Sequence, residues 1–484
     1  MEARLAKLER LRERGIDPYP RRVIRTQTAA EARALFEADP ESGSRVAVAG
    51  RIMTIRGMGR LTFATLRDGS GEIQVSFTRD RLGQEVYQDL RNLDLGDFLG
   101  VEGALFATRA GEITVQAETC AMLAKALRPP PDKWHGLRDV EQRYRQRYLD
   151  LLANEDAREI FRARSIVVSA IRRFMEDRGF IEAETPILVP LAAGAMAAPF
   201  RTLHNALHRE LFLRIATELN LKKLLVGGFE RVFEIGRIFR NEGIDAAHNP
   251  EFTTMESYEA YASYHDVMEM VETLTHHVCL LVRGESTVSY GGQAIDLTPP
   301  WQRLSLIDAI KEWSGIDLLD SRARSADGLR AAVRDAGLAP AENSSWPQMV
   351  DKLIGELVEP RLIQPTFLTD YPVEMTPLAK TTERDPRLVE RFEGFIGGME
   401  IANSFTELND PLEQAARLRA QEANRQQFTT EDFDRLDEDF ITAVEHGMPP
   451  AGGLGLGIDR LVMILTGQTT IREVVLFPQL RAPE

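Results

Sequence analysis

The chain has 484 residues, 43% of them hydrophobic and 27% charged, and a formal net charge of −15. That length holds two or three domains with a sizeable core, the balance excludes extensive disorder, and the acidic excess excludes a protein that wraps nucleic acid over its whole surface. No run approaches the roughly 20 apolar residues of a bilayer span, and the N-terminus "MEARLAKLERLRERG" lacks the apolar core of a signal peptide, so a cytoplasmic protein without a membrane segment is expected.

Residues 1–40 form an N-terminal segment with helical patterning, and its first 26 residues carry eight Lys/Arg against four Asp/Glu. A basic arm on an acidic body can steer a polyanion, although a solvated helix face explains the same residues. Across 41–126 come five runs rich in β-branched and aromatic residues, "RVAVAGRIM", "RLTFATLRD", "EIQVSFT", "FLGVEGALFAT" and "EITVQAE", with the helix-like "LGQEVYQDLRNL" between the third and fourth. That order predicts a five-stranded OB-fold β-barrel, a fold that often binds oligonucleotides. Cys120, just past the last run, and Cys279 further on sit in apolar contexts without metal-ligand spacing and read as free thiols.

A Pro-rich linker is expected over 127–145, around "LRPPPDKWHGLRD". From 146 to 484 the pattern predicts one α+β domain: a helix over 155–178, strands near 211–215, 231–240 and 251–260, helices over 264–283 and 303–313, a strand over 395–408 and a helix over 411–424. Hairpin-type turns between the strands predict a mainly antiparallel sheet.

Three stretches carry chemistry. "FRNEGIDAAHNPEF" (239–252) joins two alternating runs, and Phe252, Thr254, Glu256 and Tyr258 share one face of the second. Its charged tip suits a nucleotide: Arg240 offers a bidentate fork to a phosphate, Phe252 a stacking face, and Glu242 and His248 further contacts; a solvated hairpin tip is the alternative. In "FEGFIGGMEIANSFTELND" (392–410), Glu393 and Glu400 flank a "GG" and suit Mg²⁺, which takes few protein carboxylates and fills its shell with phosphate and water. An edge strand with charged outer positions would look the same. "GLGLGIDRLVMILTG" places alternate glycines before an apolar helix bearing Arg460; its G-x-G-x-G spacing and the lack of a following βαβ unit argue against a Rossmann fingerprint.

These stretches resemble motif 2 (about 231–260), the metal-binding strand and motif 3 (about 453–466) of class II aminoacyl-tRNA synthetases, and "RGFIEAETPIL" resembles motif 1 (about 165–190). More narrowly, "ALRPPPDKWHGLRDVEQRYRQRYLDL", "LFLRIATELNLKKLLVGGFERVFEIGRIFRNEG" and "EMTPLAK" resemble class II lysyl-tRNA synthetases of the bacterial type. The resemblance implies an anticodon-binding OB-fold, a catalytic domain on a six-stranded antiparallel sheet with flanking helices, a homodimer, and tRNA(Lys), ATP and L-lysine as substrates with Mg²⁺. It implies catalytic roles for Arg240 and Arg460; a lysine pocket of Gly194, Glu218, Glu256, Tyr258, Asn403, Phe405 and Glu407; ATP contacts from Arg240, Glu242, His248, Phe252, Glu400 and Arg460; metal ligands Glu393 and Glu400; and anticodon contacts from Phe63 and Gln74. Carboxylates around a buried amine agree with electrostatics, whereas Glu218 read alone could be an exposed residue of an amphipathic helix, and Phe63 could be core.

The sequence departs from the family pattern at Ala193 and Ala198, where Gly and Arg or Lys are usual, and at Ala402 and Ser404, where glycines are common; near the third anticodon contact it has Glu118 and Thr119. These changes bear on pocket shape, substrate range and inhibitor response. The alternatives are a catalytically silent or protein-lysylating relative and an aspartyl- or asparaginyl-type synthetase.

Overall fold

The computed structural model describes residues 1–131, 136–195, 197–339, 344–428 and 436–482. It contains two compact units, Met1–Val140 with Tyr148–Asn154, and Glu141–Arg147 with Glu155–Glu484. The expected linker lies partly outside the described residues, and a helix, Val140–Arg145, begins within its range.

In the smaller unit, strands β1 (Arg45–Met58), β2 (Leu61–Arg67), β3 (Glu72–Thr78), β4 (Phe98–Ala107) and β5 (Ile113–Ala124) close into a barrel in the order β1-β2-β3-β5-β4. Alternation fills it: Ala64 and Leu66 of β2 and Ile73, Val75 and Phe77 of β3 point into the core. Short helical turns from Arg79 to Asn92 occupy the expected place between β3 and β4. The N-terminal segment is two helices, Glu2–Glu13 and Ala29–Ala38, the second opened by a Thr28/Glu31 capping box, and Leu11, Ala29 and Ala32 belong to the barrel's core.

The larger unit is built on an eight-stranded sheet. Its strands are β6 (Ile181–Glu182), β10 (Arg231–Phe239), β11 (Glu251–Ala260), β14 (Gln302–Ser305), β15 (Thr366–Pro372), β16 (Leu388–Ile396), β17 (Met399–Thr406) and β18 (Ala451–Gly457), ordered β14-β15-β16-β17-β18-β11-β10-β6. The six central strands are antiparallel throughout. Two short edge strands depart from the expectation, β14 and β6 pairing parallel with their neighbours. Smaller pairings involve β7 (Leu188–Val189), β8 (Arg201–His204) and β9 (Arg209–Leu213), and β12 (Thr287–Tyr290) with β13 (Gln293–Asp296).

Two expected elements change form. The helix expected over 303–313 starts only after Ser305, because 302–305 pair with Thr366–Thr369. The strand expected over 395–408 is a hairpin, β16 and β17 folded at Gly397 and Gly398, and both strands are central in the sheet, not at its edge.

One face of the sheet packs on helices Glu155–Glu176, Tyr264–Arg283 and Ile458–Thr466. The core there joins Phe174, Val271 and Leu461 to Met255, Leu454 and Leu456 of the sheet. The alternate residues of β11 and β18 therefore face the other way, where the cavity lies.

Candidate active site

Sheet register assembles the site. Across five strands, Glu234, Glu256, Gly455, Asn403 and Glu393 are successive cross-strand partners, and in the next row Val232, Tyr258, Gly453, Phe405 and Arg391 are. The alternate glycines of β18 are thus the middle of two rows of large side chains. A Cβ on Gly453 would fall 1.8 Å from Glu407 Oε1 and 2.5 Å from Tyr258 Cε1, so only glycine lets those two side chains close over the strand.

These rows floor a cavity of about 420 Å³. Gly194, Glu218, Glu256, Tyr258, Asn403, Phe405 and Glu407 line it, together with Arg240, Glu242, His248, Phe252, Glu400 and Arg460. Among the catalytic, substrate, ATP and metal residues expected in this unit, Glu393 alone is not in the lining.

Glu218 is the first residue of helix Glu218–Val226 and is 8% exposed, which excludes the solvated-helix reading. Lys222, one turn on and fully buried, donates to Glu218 Oε1 at 2.6 Å and lies 2.5 Å from Glu407 Oε2. Glu256 accepts the Thr217 amide, at 3.1 Å and 3.3 Å to its two oxygens. Burial pushes the Glu256 carboxyl up to about 7 against the Thr217 hydrogen bond, and neighbouring Glu218 adds to the rise. Burial likewise raises Glu407, with Lys222 pulling it back. Gly194, at φ +87°, lies against Glu218 and Leu219 in the left-handed region that favours glycine.

The polar end of the cavity is cationic. Arg240 follows β10, its amide bonded to Pro250 O at 2.9 Å where the loop closes, and its guanidinium lies 5.3 Å from the centre of the Phe252 ring. Arg240 Nε and Glu407 Oε1 are buried without a hydrogen-bond partner among the described residues, which marks the cavity as a place built for polar ligands. Arg460 donates to Glu400 at 3.0 Å and contacts His248 Nε2 at 3.1 Å, while His248 Nδ1 meets Asp245 at 2.8 Å. Glu242 is exposed at the rim.

Glu393 sits behind this end, accepting from Tyr371 Oη at 2.6 Å and paired with Arg391; burial raises its carboxyl and Arg391 lowers it. Glu400 is its neighbour toward the cavity and is more exposed. No group of three or more His, Cys, Asp or Glu among the described residues is arranged to hold a metal by itself.

Sequence reasoning missed Lys222, Arg391 and Asp459. Arg391 lines the cavity and donates to Asn403 Oδ1 at 3.2 Å, its guanidinium 4.4 Å from the Tyr371 ring centre. Its in-phase spacing with Glu393 is the available signal, and both residues lie in β16, ahead of the strand expected over 395–408. Asp459 fixes β11 through the Thr253 amide at 2.8 Å and pairs with Arg164. Of the departures, Ala402 lines the cavity, Ser404 Oγ donates to Gly453 O at 2.6 Å from behind it, Ala193 packs against a neighbouring core, and Ala198 O accepts the Asn241 amide at 2.7 Å.

In the barrel, Phe63 points outward and is not part of the core, and its cross-strand partners are Arg56 and Ser76. Gln74 is also on the outer face and accepts from Thr114 Oγ1 at 3.0 Å. Glu118 pairs with Arg45 and with Arg81 at 3.5 Å.

An antiparallel sheet carrying an arginine-flanked cavity, preceded by a five-stranded barrel, defines the class. The tRNA synthetases class II (D, K and N) family matches residues 139–481, and the OB-fold nucleic acid binding domain matches residues 46–123. The chain belongs to the class II tRNA synthetase family. Within it, the chain is 53% identical to the Lysine–tRNA ligase of Dehalococcoides mccartyi strain 195, over 99% of this chain and 97% of that protein. It is 51% identical to the Lysine–tRNA ligase of Chloroflexus aurantiacus over 99% and 97%. To that of Staphylococcus haemolyticus it is 47% identical, over 99% and 98%.

Proposed function

We propose that this chain is a lysine–tRNA ligase, in which the carboxylate of L-lysine attacks the α-phosphorus of ATP to give lysyl-adenylate with release of pyrophosphate, and the lysyl group then passes to the 3′ end of tRNA(Lys) with release of AMP. The observation that carries the reading is the convergence of three buried carboxylates, Glu218, Glu256 and Glu407, on one cavity with Arg240 and Arg460. Buried carboxylates accept an amine and reject a neutral side chain of equal length, because they would then be left unpaired. An aspartate or asparagine substrate would instead place an acid or amide against three acids.

The lysine carboxylate is itself the nucleophile, so the first step asks for alignment and charge neutralisation rather than a general base. Arg240 grips the α-phosphate, Phe252 stacks the adenine with Glu242 and His248 at its rim, and Arg460 meets the outer phosphates. The second step moves the lysyl carbonyl from AMP to the tRNA hydroxyl. Glu400, with Glu393 behind it, would hold Mg²⁺; two carboxylates that cannot complete a shell alone suit an ion whose remaining ligands are phosphate and water oxygens. Bound there, Mg²⁺ would offset phosphate charge.

Phe63 and Gln74 on the barrel's outer face read unpaired anticodon bases by stacking and amide hydrogen bonds. Ile181, Ile187 and Leu188, about half exposed in the stretch resembling motif 1, support a homodimer. None of the described helices is long and apolar enough to cross a membrane, and we place the enzyme in the cytoplasm, where its substrates are.

ATP–pyrophosphate exchange with a panel of amino acids tests the reading. Lysine should drive exchange, with aspartate and asparagine at background; exchange driven by either of those, or by none, would refute it.

A further inference from the structure

We propose that Lys222 is a built-in counter-cation of the amino-acid pocket, a positioning residue whose ammonium holds Glu218 and Glu407 together and aimed into the cavity so that the pocket charge matches the two ammonium groups of free lysine. The inference rests on the reading of this cavity as a lysine pocket. Lys222 does not line the cavity, whereas both of its carboxylate partners do. Its side chain is 0% exposed, with Nζ 2.6 Å from Glu218 Oε1 and 2.5 Å from Glu407 Oε2. The i,i+4 spacing on helix Glu218–Val226 stacks Lys222 under Glu218, and Glu407 reaches it from just beyond β17.

Among the described residues, the other groups around the ammonium add no further cation. β11 contributes Glu256 and Tyr258, whose ring centre is 5.8 Å from Nζ, and helix Glu438–Glu445 contributes the Phe440 ring at 5.9 Å. Burial by itself would lower Lys222, and Glu218 and Glu407 outweigh it, raising it above its ordinary value. Adjacent Lys223, which pairs with Asp439 at 2.6 Å, is partly exposed and plays no part.

Once ammonium groups enter, the charge of the three carboxylates is answered by Lys222 for one acid, and two are left over for the substrate. Lysine brings an α-ammonium and a side-chain ammonium, so the occupied pocket is neutral, the lysine carboxylate being answered by Arg240. Without Lys222, two close buried carboxylates would share a proton, and a protonated carboxyl offers an incoming amine no charge.

The test is lysine-dependent ATP–pyrophosphate exchange by the full-length wild type, Lys222→Met and Lys222→Arg between pH 6.5 and 9. In Lys222→Met we expect the KM for lysine to rise at least about tenfold at pH 7, with kcat and the KM for ATP within about threefold. The ratio of mutant to wild-type lysine KM should shrink toward pH 9 as the shared proton is more easily lost. Lys222→Arg should keep the lysine KM within about threefold, since it retains the cation. Calorimetry of lysine binding to wild type in two buffers of different ionisation heat adds a measurement that needs no variant. At pH 9, above the range into which burial raises the pocket carboxyls, it should show well under about half a proton released.

An unchanged lysine KM in Lys222→Met, an equal loss of lysine KM, ATP KM and kcat at every pH, Lys222→Arg behaving as Lys222→Met, or release of about one proton by wild type would each overturn the inference. Wild type that shows no lysine-driven exchange would instead sink the reading of the pocket.

Discussion

Glu256 illustrates how much one side chain depends on the rows around it. Its alternation with Phe252, Thr254 and Tyr258 was legible in sequence, because β11 keeps strict period two, but its burial and its bond to the Thr217 amide come from a helix start 39 residues earlier. Its carboxyl is raised from the ordinary 4.5 to about 7. The sign follows: between those values the folded, ligand-free protein keeps a proton that the unfolded chain gives up, so stability falls as pH rises through that window. The loss is on the order of 3 kcal/mol above it. Glu256→Gln should therefore melt higher than wild type at pH 8 without ligand, the gap closing toward pH 5, while losing lysine-driven exchange; a gap that widens toward pH 5 would contradict the assignment. Gly453→Ala tests the neighbouring row: with its Cβ directed at Glu407 and Tyr258, the KM for lysine should rise at least about tenfold. Lys222 shows where sequence reasoning stops, since nothing in "NLKKLL" tells the buried lysine from the partly exposed one beside it.

Elements were legible where a pattern is local. The helix read over 155–178 is Glu155–Glu176, and the hairpin around the charged loop is β10 and β11. β14 was not, because four residues that look like the first turn of a helix become a strand only through a parallel partner 64 residues later. The single strand expected over 395–408 takes in β17 but only the end of β16, because "GG" reads as spacing between carboxylates as well as a turn, and Arg391 falls outside it. The β10–β11 pair also rests on a buried ion pair that sequence did not disclose. Glu234, beside Glu256 in the register, pairs with Arg214, which also donates to Arg237 O at 2.9 Å and Thr185 O at 3.1 Å. Removing one partner of such a pair leaves an uncompensated buried charge, so Glu234→Ala should destabilise this unit by about 3–5 kcal/mol. Denaturant unfolding followed by tryptophan fluorescence measures it; a loss below about 1 kcal/mol would show that water replaces the carboxylate.

At the scale of the whole molecule, activation and tRNA reading are assigned to separate units, which gives a clean separation of effects. Phe63→Ala with Gln74→Ala should lower kcat/KM for tRNA aminoacylation by at least about tenfold, one to two stacked or hydrogen-bonded bases being lost, and leave lysine-driven exchange unchanged. A matching fall in exchange would refute the division of labour. The class of fold was readable from the order of strands and turns, whereas the pocket residues came from the family resemblance and not from their own pattern; the charge balance beneath them needed three dimensions. The central claim is that Glu218, Glu256 and Glu407 receive an amine beside a nucleotide held by Arg240. A crystal structure with a non-hydrolysable sulfamoyl analogue of lysyl-adenylate tests it most directly. The account predicts both amines of the lysyl group within hydrogen-bond distance of these carboxylates and the sulfamoyl group against Arg240. An analogue whose amines face water, or whose sulfamoyl group lies away from Arg240, would contradict it.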